Sequence, residues 1–512
     1  MYTKTGDVIF MAEINIILGP PGTGKTENLL RILDQELKDK TAGPESIGFF
    51  SFTQKAANEA RDRAKDKFNL TDDDLPYFRT LHSFGKRQLG ITNSEVMKKK
   101  DYKKFGDNYG IDFDFINEDP ENGIITTDNP FLREINLARV KCLELEKHYN
   151  QQNLNFGWYE LLRAYQSLVE YKHKNSKSDF TDMLAEYVAH GPTPKFDVVM
   201  IDEAQDLSKL QWEVCEKIFR NTKRVYISGD DDQAIFRWAG ADIEHLINMK
   251  GNKSVLNKSY RCPQLVHNLA DEIVQRIGNR LPKEWKPRDH IGKLKFHSYP
   301  EAVDVREGNW LILATCKYMF KEMEQDLRTQ GLPYKKNNKL PIEKELLNAV
   351  DSWNRLHRAE HISFKDVSDM YSYLPSKTAI ARGHKSLQSF IEGEATYGIE
   401  DLVNNHGLLL TNVPWQSAFD KMGDTNKEYI KALEKFNPGN LTADPKIHLS
   451  TIHVAKGGEC DNVMLMTDLS SANQGEMEKN SDDTNRVFYV GATRAKEELH
   501  IVQPQRGGGF IL

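Results

Sequence analysis

The residues with the clearest chemical potential are eight in a row. Gly19-Pro20-Pro21-Gly22-Thr23-Gly24-Lys25-Thr26 matches G-x-x-x-x-G-K-[ST] in full. In such a loop, glycines let backbone N–H groups approach phosphate oxygens, and a following helix N-terminus adds a favourable dipole. Lys25 is expected to reach the β and γ phosphates, and the Thr26 hydroxyl to ligate Mg²⁺. A second pair, Asp202-Glu203, closes an apolar run. Asp202 is suited to holding Mg²⁺, directly or through water, and Glu203 to orienting and deprotonating an attacking water. Phosphoryl transfer also calls for positive charge on the departing phosphate. Arg261, in Asn257-Lys258-Ser259-Tyr260-Arg261-Cys262, and Arg494, in Tyr489-Val490-Gly491-Ala492-Thr493-Arg494-Ala495, are the candidates.

These groups need elements to carry them. Residues 14–18 (Ile-Asn-Ile-Ile-Leu) read as a short buried strand. Leu29, Leu30, Ile32, Leu33 and Leu37 then recur at helical spacing, so the glycine-rich turn sits between strand and helix. Val198–Ile201 predicts a second strand running into Asp202-Glu203, and Val225–Ser228 a third running into Gly229-Asp230. Strands ending in polar loops, with helices between, predict a parallel sheet with its site at the strand ends. Residues 90–174 are charged and aromatic at helical spacing and predict a helical insertion. The α/β pattern resumes after 250, with strands expected at 310–315, 463–466 and 499–502, a helix running on to 327, and helical spacing again over 361–440. The fold class is therefore α/β with two parallel-sheet cores, each interrupted by a mainly helical insert. The segments are 1–89 with 175–250, the insert 90–174, 251–360 with 441–512, and the insert 361–440.

A chain of 512 residues predicts several domains. With 69 Lys plus Arg against 75 Asp plus Glu the net charge is -6, which excludes a protein that coats nucleic acid with its whole surface. Any such contact must be a local groove. Cys142, Cys215, Cys262, Cys316 and Cys460 form no C-x-x-C pair, which argues against a metal cluster or a disulfide framework and suits a reducing cytosol. No apolar run approaches the ~18 residues of a membrane span.

Ordered segments beyond the phosphate loop carry a family resemblance. Ser51-Phe52-Thr53-Gln54-Lys55-Ala56-Ala57 resembles motif Ia of superfamily 1 helicases of the UvrD/Rep/PcrA branch, and Arg79-Thr80-Leu81-His82-Ser83-Phe84 resembles motif Ib. Asp202-Glu203-Ala204-Gln205-Asp206 is similar to motif II, and Gly229-Asp230-Asp231-Asp232-Gln233-Ala234-Ile235-Phe236-Arg237-Trp238 to motif III. The Tyr260-Arg261 segment resembles motif IV, Ser450–Glu459 motif V, and Arg486–Lys496 motif VI. The resemblance implies two RecA-like motor domains with inserts (1A, 1B, 2A, 2B), ATP and Mg²⁺ as cofactors, and 3′ to 5′ movement on single-stranded DNA. It implies that Gln205 and Gln233 sense the γ phosphate, that Arg261 and Arg494 complete the ATP site, that Tyr260 stacks on adenine and that Glu459 contacts the ribose. Three departures accompany it. No glutamine precedes the phosphate loop, the first being Gln35, so acceptance of other nucleotides is an expectation. Ala239 follows Trp238 where the family usually carries arginine. The insert 361–440 is also short for the family, which suits a viral or mobile-element enzyme.

Tracking along a single strand needs aromatic platforms for bases and polar groups for phosphates. Phe236 and Trp238 lie just beyond Gln233. Phe52 and Thr53 belong to the motif Ia segment, and Phe180 resembles a further base-contacting position of the family. Thr80, His82, Thr451 and His453 are the expected phosphate contacts. The lysine runs 98–104 and 335–339 read mainly as solvated faces. Partners implied are single-stranded DNA, single/double-strand junctions, and replication or recombination proteins, with no membrane. Rival readings are a translocase that chiefly strips bound proteins, a non-enzymatic DNA-binding scaffold, and a subunit working beside a separate nuclease.

Overall fold

A computed structural model describes residues 12–51, 54–113, 115–118, 125–387, 396–505 and 507–512. The chain divides into two compact units, residues 1–291 with 479–493, and residues 292–478 with 494–512.

The first unit is built on a sheet of six strands, β1 (Glu13–Leu18), β2 (Ile47–Ser51), β3 (Phe78–Arg79) and, beyond a small hairpin of β4 (Ile116–Glu118) and β5 (Ile125–Thr127), β6 (Phe196–Asp202), β7 (Thr222–Gly229) and β8 (Asn252–Val255). The order is β3-β2-β6-β7-β1-β8, and every pairing is parallel. Alternation along each strand loads both faces. Ile16, Leu18, Phe50, Val199, Ile201, Val225 and Ile227 face one apolar cluster, which Trp212, Val214 and Ile218 of helix Lys209–Phe219 complete. Ile17, Ile47, Phe49, Val198 and Met200 face the other, covered by Leu29, Leu30 and Leu33 of helix Lys25–Lys38. Continuous apolar strands buried on two sides are what an all-parallel sheet requires. Between β3 and β6, helices Lys99–Tyr109, Pro130–Val140, Leu145–Gln151 and Trp158–Lys174 enclose a separate cluster around Phe105, Ile135, Leu161 and Leu168.

The second unit contains β9 (Lys293–His297), β10 (Trp310–Ala314), β11 (Tyr334–Lys336), the two-stranded pair β12 (Ile362–Ser363) and β13 (Thr396–Tyr397), then β14 (Ile447–Thr451), β15 (Cys460–Met466) and β16 (Ala495–Val502). Its main sheet runs β11-β14-β10-β15-β16-β9, again wholly parallel. Helices Phe364–Tyr373, Ile399–His406, Trp415–Ala418 and Asp424–Phe436 occupy the stretch expected as a second insert. Among the described residues they carry no core of their own. Val367, Met370, Trp415, Phe419, Ile430 and Leu433 join the same cluster as Ile312, Leu449 and Met464 of the sheet.

The units part at 291/292, later than the expected 250/251. The reason is local: helix Gln264–Val274 packs against helix Ser481–Ala492, and both stay with the first unit. No helix among the described residues is long and apolar enough to cross a membrane.

Candidate active site

β6, β7 and β1 are neighbours, and their carboxyl ends bring three loops side by side. The phosphate loop leaves β1 at Leu18 and is pinned where Gly19 N–H donates to Gly229 O at the end of β7, 3.0 Å. Gly24, at φ 76°, ends the loop in the left-handed region and starts helix Lys25–Lys38. Lys25 turns back over the loop, its Nζ donating to Gly19 O at 2.8 Å, and is almost fully buried. Pro20, Pro21 and Thr23 are buried beneath it, with Thr23 Oγ1 donating to Pro20 O at 2.8 Å.

β6 delivers Asp202 to the helix's first turn. Thr26 Oγ1 donates to Asp202 Oδ2 at 2.7 Å, and Ser228 Oγ donates to Asp202 Oδ1 at 2.9 Å. Burial, and then the neighbouring charge of Glu203, push the Asp202 carboxyl up from its ordinary range. A buried carboxylate touching a hydroxyl at the mouth of a phosphate loop fits a hard divalent cation, because such a cation offsets that unfavourable charge. Glu203 follows at φ 53°, a left-handed conformation rare for a residue with a side chain. That conformation belongs to the turn that carries Glu203 out of the strand.

Hydrogen bonds run on from Glu203. Gln205 Nε2 donates to Glu203 Oε2 at 2.5 Å, and Gln205 Oε1 accepts from Asp230 N–H at 2.9 Å. Gln233 Nε2 donates to Asp230 Oδ2 at 2.6 Å. Gln205 and Asp230 are fully buried and Gln233 nearly so, so these bonds act in a low dielectric. Three residues beyond Gln233, Phe236 is half-buried against the sheet's core. Trp238 is 50% exposed.

The arginine of the 257–262 segment reaches the site from β8, the strand beside β1. Ser259 Oγ donates to Pro21 O and Tyr260 N–H to Gly22 O, both at 2.8 Å. Gly22 lies at φ 72°, and a Cβ there would stand 2.4 Å from Arg261 Cβ. Arg261 is thus seated on the phosphate loop, and Tyr260 stands 72% exposed beside it.

Other expected residues fall elsewhere. Thr80 is buried and caps helix Leu81–Gln88, its hydroxyl accepting from Ser83 N–H. His82 is also buried, with its ring edge-on to Phe180 at 5.8 Å between centroids. Neither side chain presents itself at the surface as an exposed phosphate contact would, because both serve the packing of their helix. Phe180 is half-buried at the start of helix Phe180–His190. Phe52 and Thr53 lie outside the described residues. Thr451, His453, Glu459 and Arg494 belong to the second unit. There Thr451 ends β14, and Arg494 is buried with its Nη1 donating to Gly458 O at 3.1 Å, next to an exposed Glu459.

Two charged residues, Lys283 and Arg280, escaped the sequence reading, and a third, Arg486, entered it only as the first residue of the motif VI segment. Lys283 lies 3.3 Å from Asp230 and 2.8 Å from Asp232, and also pairs with Asp231. Arg280 grips Asp232 with two bonds of 2.8 and 2.7 Å. Arg486, wholly buried, donates to Asp231 O at 3.1 Å. The three aspartates lie close enough together to suggest a metal, but their charge is met by the chain's own cations. No local pattern around Lys283 distinguishes it from a surface lysine in a single sequence.

This arrangement can bind a nucleoside triphosphate with a divalent cation, activate water at Glu203, and report the γ position to an exposed aromatic. The family model of the UvrD/REP helicase N-terminal domain matches residues 6–254, and that of the UvrD-like helicase C-terminal domain matches residues 418–506. The chain is 24% identical over 390 residues to the ATP-dependent DNA helicase PcrA of Bacillus subtilis, covering 70% of this chain and 50% of that protein. It is 22% identical over 598 residues to a probable DNA helicase II homolog of Mycoplasma genitalium, covering 95% and 82%. Against PcrA of Staphylococcus aureus identity is 22% over 392 residues, covering 70% and 51%, so the matched stretch spans about half the length of the PcrA relatives. With both terminal domains matched in order, and two parallel sheets carrying them, the chain belongs to the UvrD/REP helicase family.

Proposed function

We propose that this chain is a DNA helicase and translocase that hydrolyses ATP with Mg²⁺ while moving 3′ to 5′ on single-stranded DNA, opening duplex at single/double-strand junctions. The observation that carries the reading is the unbroken run from Glu203 through Gln205 and Asp230 to Gln233, a few residues from a half-exposed Trp238. That run links the hydrolytic end of the site to a surface on which a base can stack, worth roughly 1–3 kcal/mol per base. The relatives, each named as a DNA helicase, support the same activity.

The residues divide the work. The phosphate loop and Lys25 bind the triphosphate. Thr26 and Asp202 would hold Mg²⁺, which neutralises phosphate charge when bound. Glu203 takes a proton from the attacking water, Gln205 and Gln233 follow the γ phosphate, and Arg261 stabilises the charge that develops as it departs. Tyr260 offers its exposed ring to the base of the nucleotide. Trp238, Phe236 and Phe180 provide the track for DNA. The parts expected of Glu459, Arg494, Thr451 and His453 in the second unit belong to the same proposal, as do residues 90–174 and 361–440 as inserts, cytoplasmic location and replication or recombination partners.

The test is unwinding of matched 3′-tailed and 5′-tailed duplexes with ATP and with other nucleoside triphosphates. Activity on the 3′-tailed substrate is expected, and Lys25→Ala is expected to abolish DNA-stimulated hydrolysis. Stimulated turnover that survives Lys25→Ala would sink the assignment, and unwinding of 5′-tailed duplex alone would reverse the polarity.

A further inference from the structure

The buried cluster beside Asp230 lies outside the roles assigned above, and its geometry points to one residue. Lys283 Nζ sits among three buried carboxylates, 3.3 Å from Asp230 Oδ1 and 2.8 Å from Asp232, and its own side chain is 1% exposed. The two oxygens of Asp230 are divided. Oδ1 faces Lys283 and accepts from Asp232 N–H, while Oδ2 accepts the Gln233 amide. The Asp230 N–H in turn holds Gln205, which holds Glu203. The hydrogen-bonded path from Glu203 through Gln205 to Gln233 thus runs by way of Asp230, and Lys283 is the cation beside its Oδ1.

We propose that Lys283 is a positioning residue for nucleotide hydrolysis, fixing Asp230 so that Gln205 and Gln233 keep their carboxamides aimed at the site. Lys283 touches neither nucleotide nor DNA in this account. It acts by preventing a buried carboxylate from rotating or taking up a proton, since a buried charge without a partner does one or the other. Burial alone would lower the Lys283 pKa, but Asp230, Asp232 and Asp231 together raise it, so the ammonium remains charged throughout the working pH range. Arg280 cannot take over, because its guanidinium is committed to both oxygens of Asp232. The segment that bears Lys283 is tied down separately, with Leu281 N–H donating to Asp231 Oδ2 at 2.7 Å and Asn279 O accepting from Arg486.

The inference rests on the hydrolytic reading above, and the experiment separates the two. Steady-state hydrolysis of ATP by the full chain with oligothymidylate is measured beside equilibrium binding of a fluorescent ATP analogue. Lys283→Met is expected to lower kcat about 10- to 100-fold, as small misplacements of catalytic groups do. KM and analogue affinity are expected to stay within about twofold, a split that general loss of structure would not produce. Gln233→Ala should depress kcat comparably, and the double variant should lose little more than either single one, because both break the same link. Lys283→Met paired with Asp231→Asn removes one carboxylate along with the ammonium and supports folding if the single variant unfolds; its kcat should stay depressed. Full kcat in a folded Lys283→Met or paired variant, or multiplicative losses with Gln233→Ala, overturns the proposal. Failure of both variants to fold overturns it too, by making Lys283 a folding residue. An inactive wild type overturns the hydrolytic reading and this inference with it, whereas an active wild type matched by Lys283→Met overturns the inference alone.

Discussion

At the scale of single residues, Gly22 and Trp238 make opposite demands. Gly22 is held at φ 72°, and a Cβ on it would stand only 2.4 Å from Arg261 Cβ. An alanine there pays about 1–2 kcal/mol for the left-handed backbone and must also push Arg261 off the loop. Gly22→Ala is therefore expected to lower kcat for hydrolysis far more than it lowers Tm, and a variant with normal kcat would show that Arg261 is not needed where it sits. Trp238 has the reverse character, because its exposed ring does little for stability. Trp238→Ala should leave Tm and nucleotide affinity unchanged while weakening activation of hydrolysis by single strands by about tenfold, in line with the loss of one stacked base. Unchanged dependence on oligothymidylate concentration would remove Trp238 from the track.

At the scale of elements, helix Leu81–Gln88 packs against helix Phe180–His190, and His82 is the polar side chain caught between them. Burial lowers its pKa from the ordinary 6.5 to about 4, with Asp179 opposing weakly. The sign follows from which state takes up the proton. Between pH 6.5 and 4 the unfolded chain protonates His82 and the folded chain does not, so stability is complete above pH 6.5 and falls as pH drops toward 4. The shift corresponds to about 3 kcal/mol. His82→Phe should flatten this part of the curve of stability against pH in denaturant titrations; an unaltered slope would mean that the ring protonates freely in the fold. The same helix pair explains what sequence could and could not tell. Strand ends carrying Lys25, Asp202 and Gly229 were legible because apolar runs and glycine-rich turns are local signals, and the structure lengthens those strands mainly at their starts, to Glu13–Leu18, Phe196–Asp202 and Thr222–Gly229. Thr80 and His82 were expected to face phosphate, yet a capping hydroxyl and a packed ring look identical to surface contacts until the partner helix is known. β2 and β8 also went unread, one in a short apolar run and one wholly exposed, and so did Lys283, whose partners lie about fifty residues earlier in the chain.

At the scale of the whole molecule, the two parallel sheets differ in how they treat the chain that interrupts them. In the first unit the helices between β3 and β6 gather their own apolar cluster around Phe105 and Leu161, so much of that stretch can loosen without opening the sheet. In the second unit, Ile430 and Leu433 of helix Asp424–Phe436, and Val367 and Met370 of helix Phe364–Tyr373, lie in one cluster with Ile312 and Leu449 of β10 and β14. A shared core makes a shared fate, because loss of packing at one end leaves a cavity that the sheet itself borders. Ile430→Ala, at a fully buried position, is expected to cost about 2–5 kcal/mol. Native-state hydrogen exchange should then show β10, β14 and both helices losing protection together by a similar amount, while the cluster around Phe105 keeps its protection. Loss confined to residues 361–440 would instead mark that stretch as an independently opening module, and would restore the view of it as a separate insert riding on the second sheet.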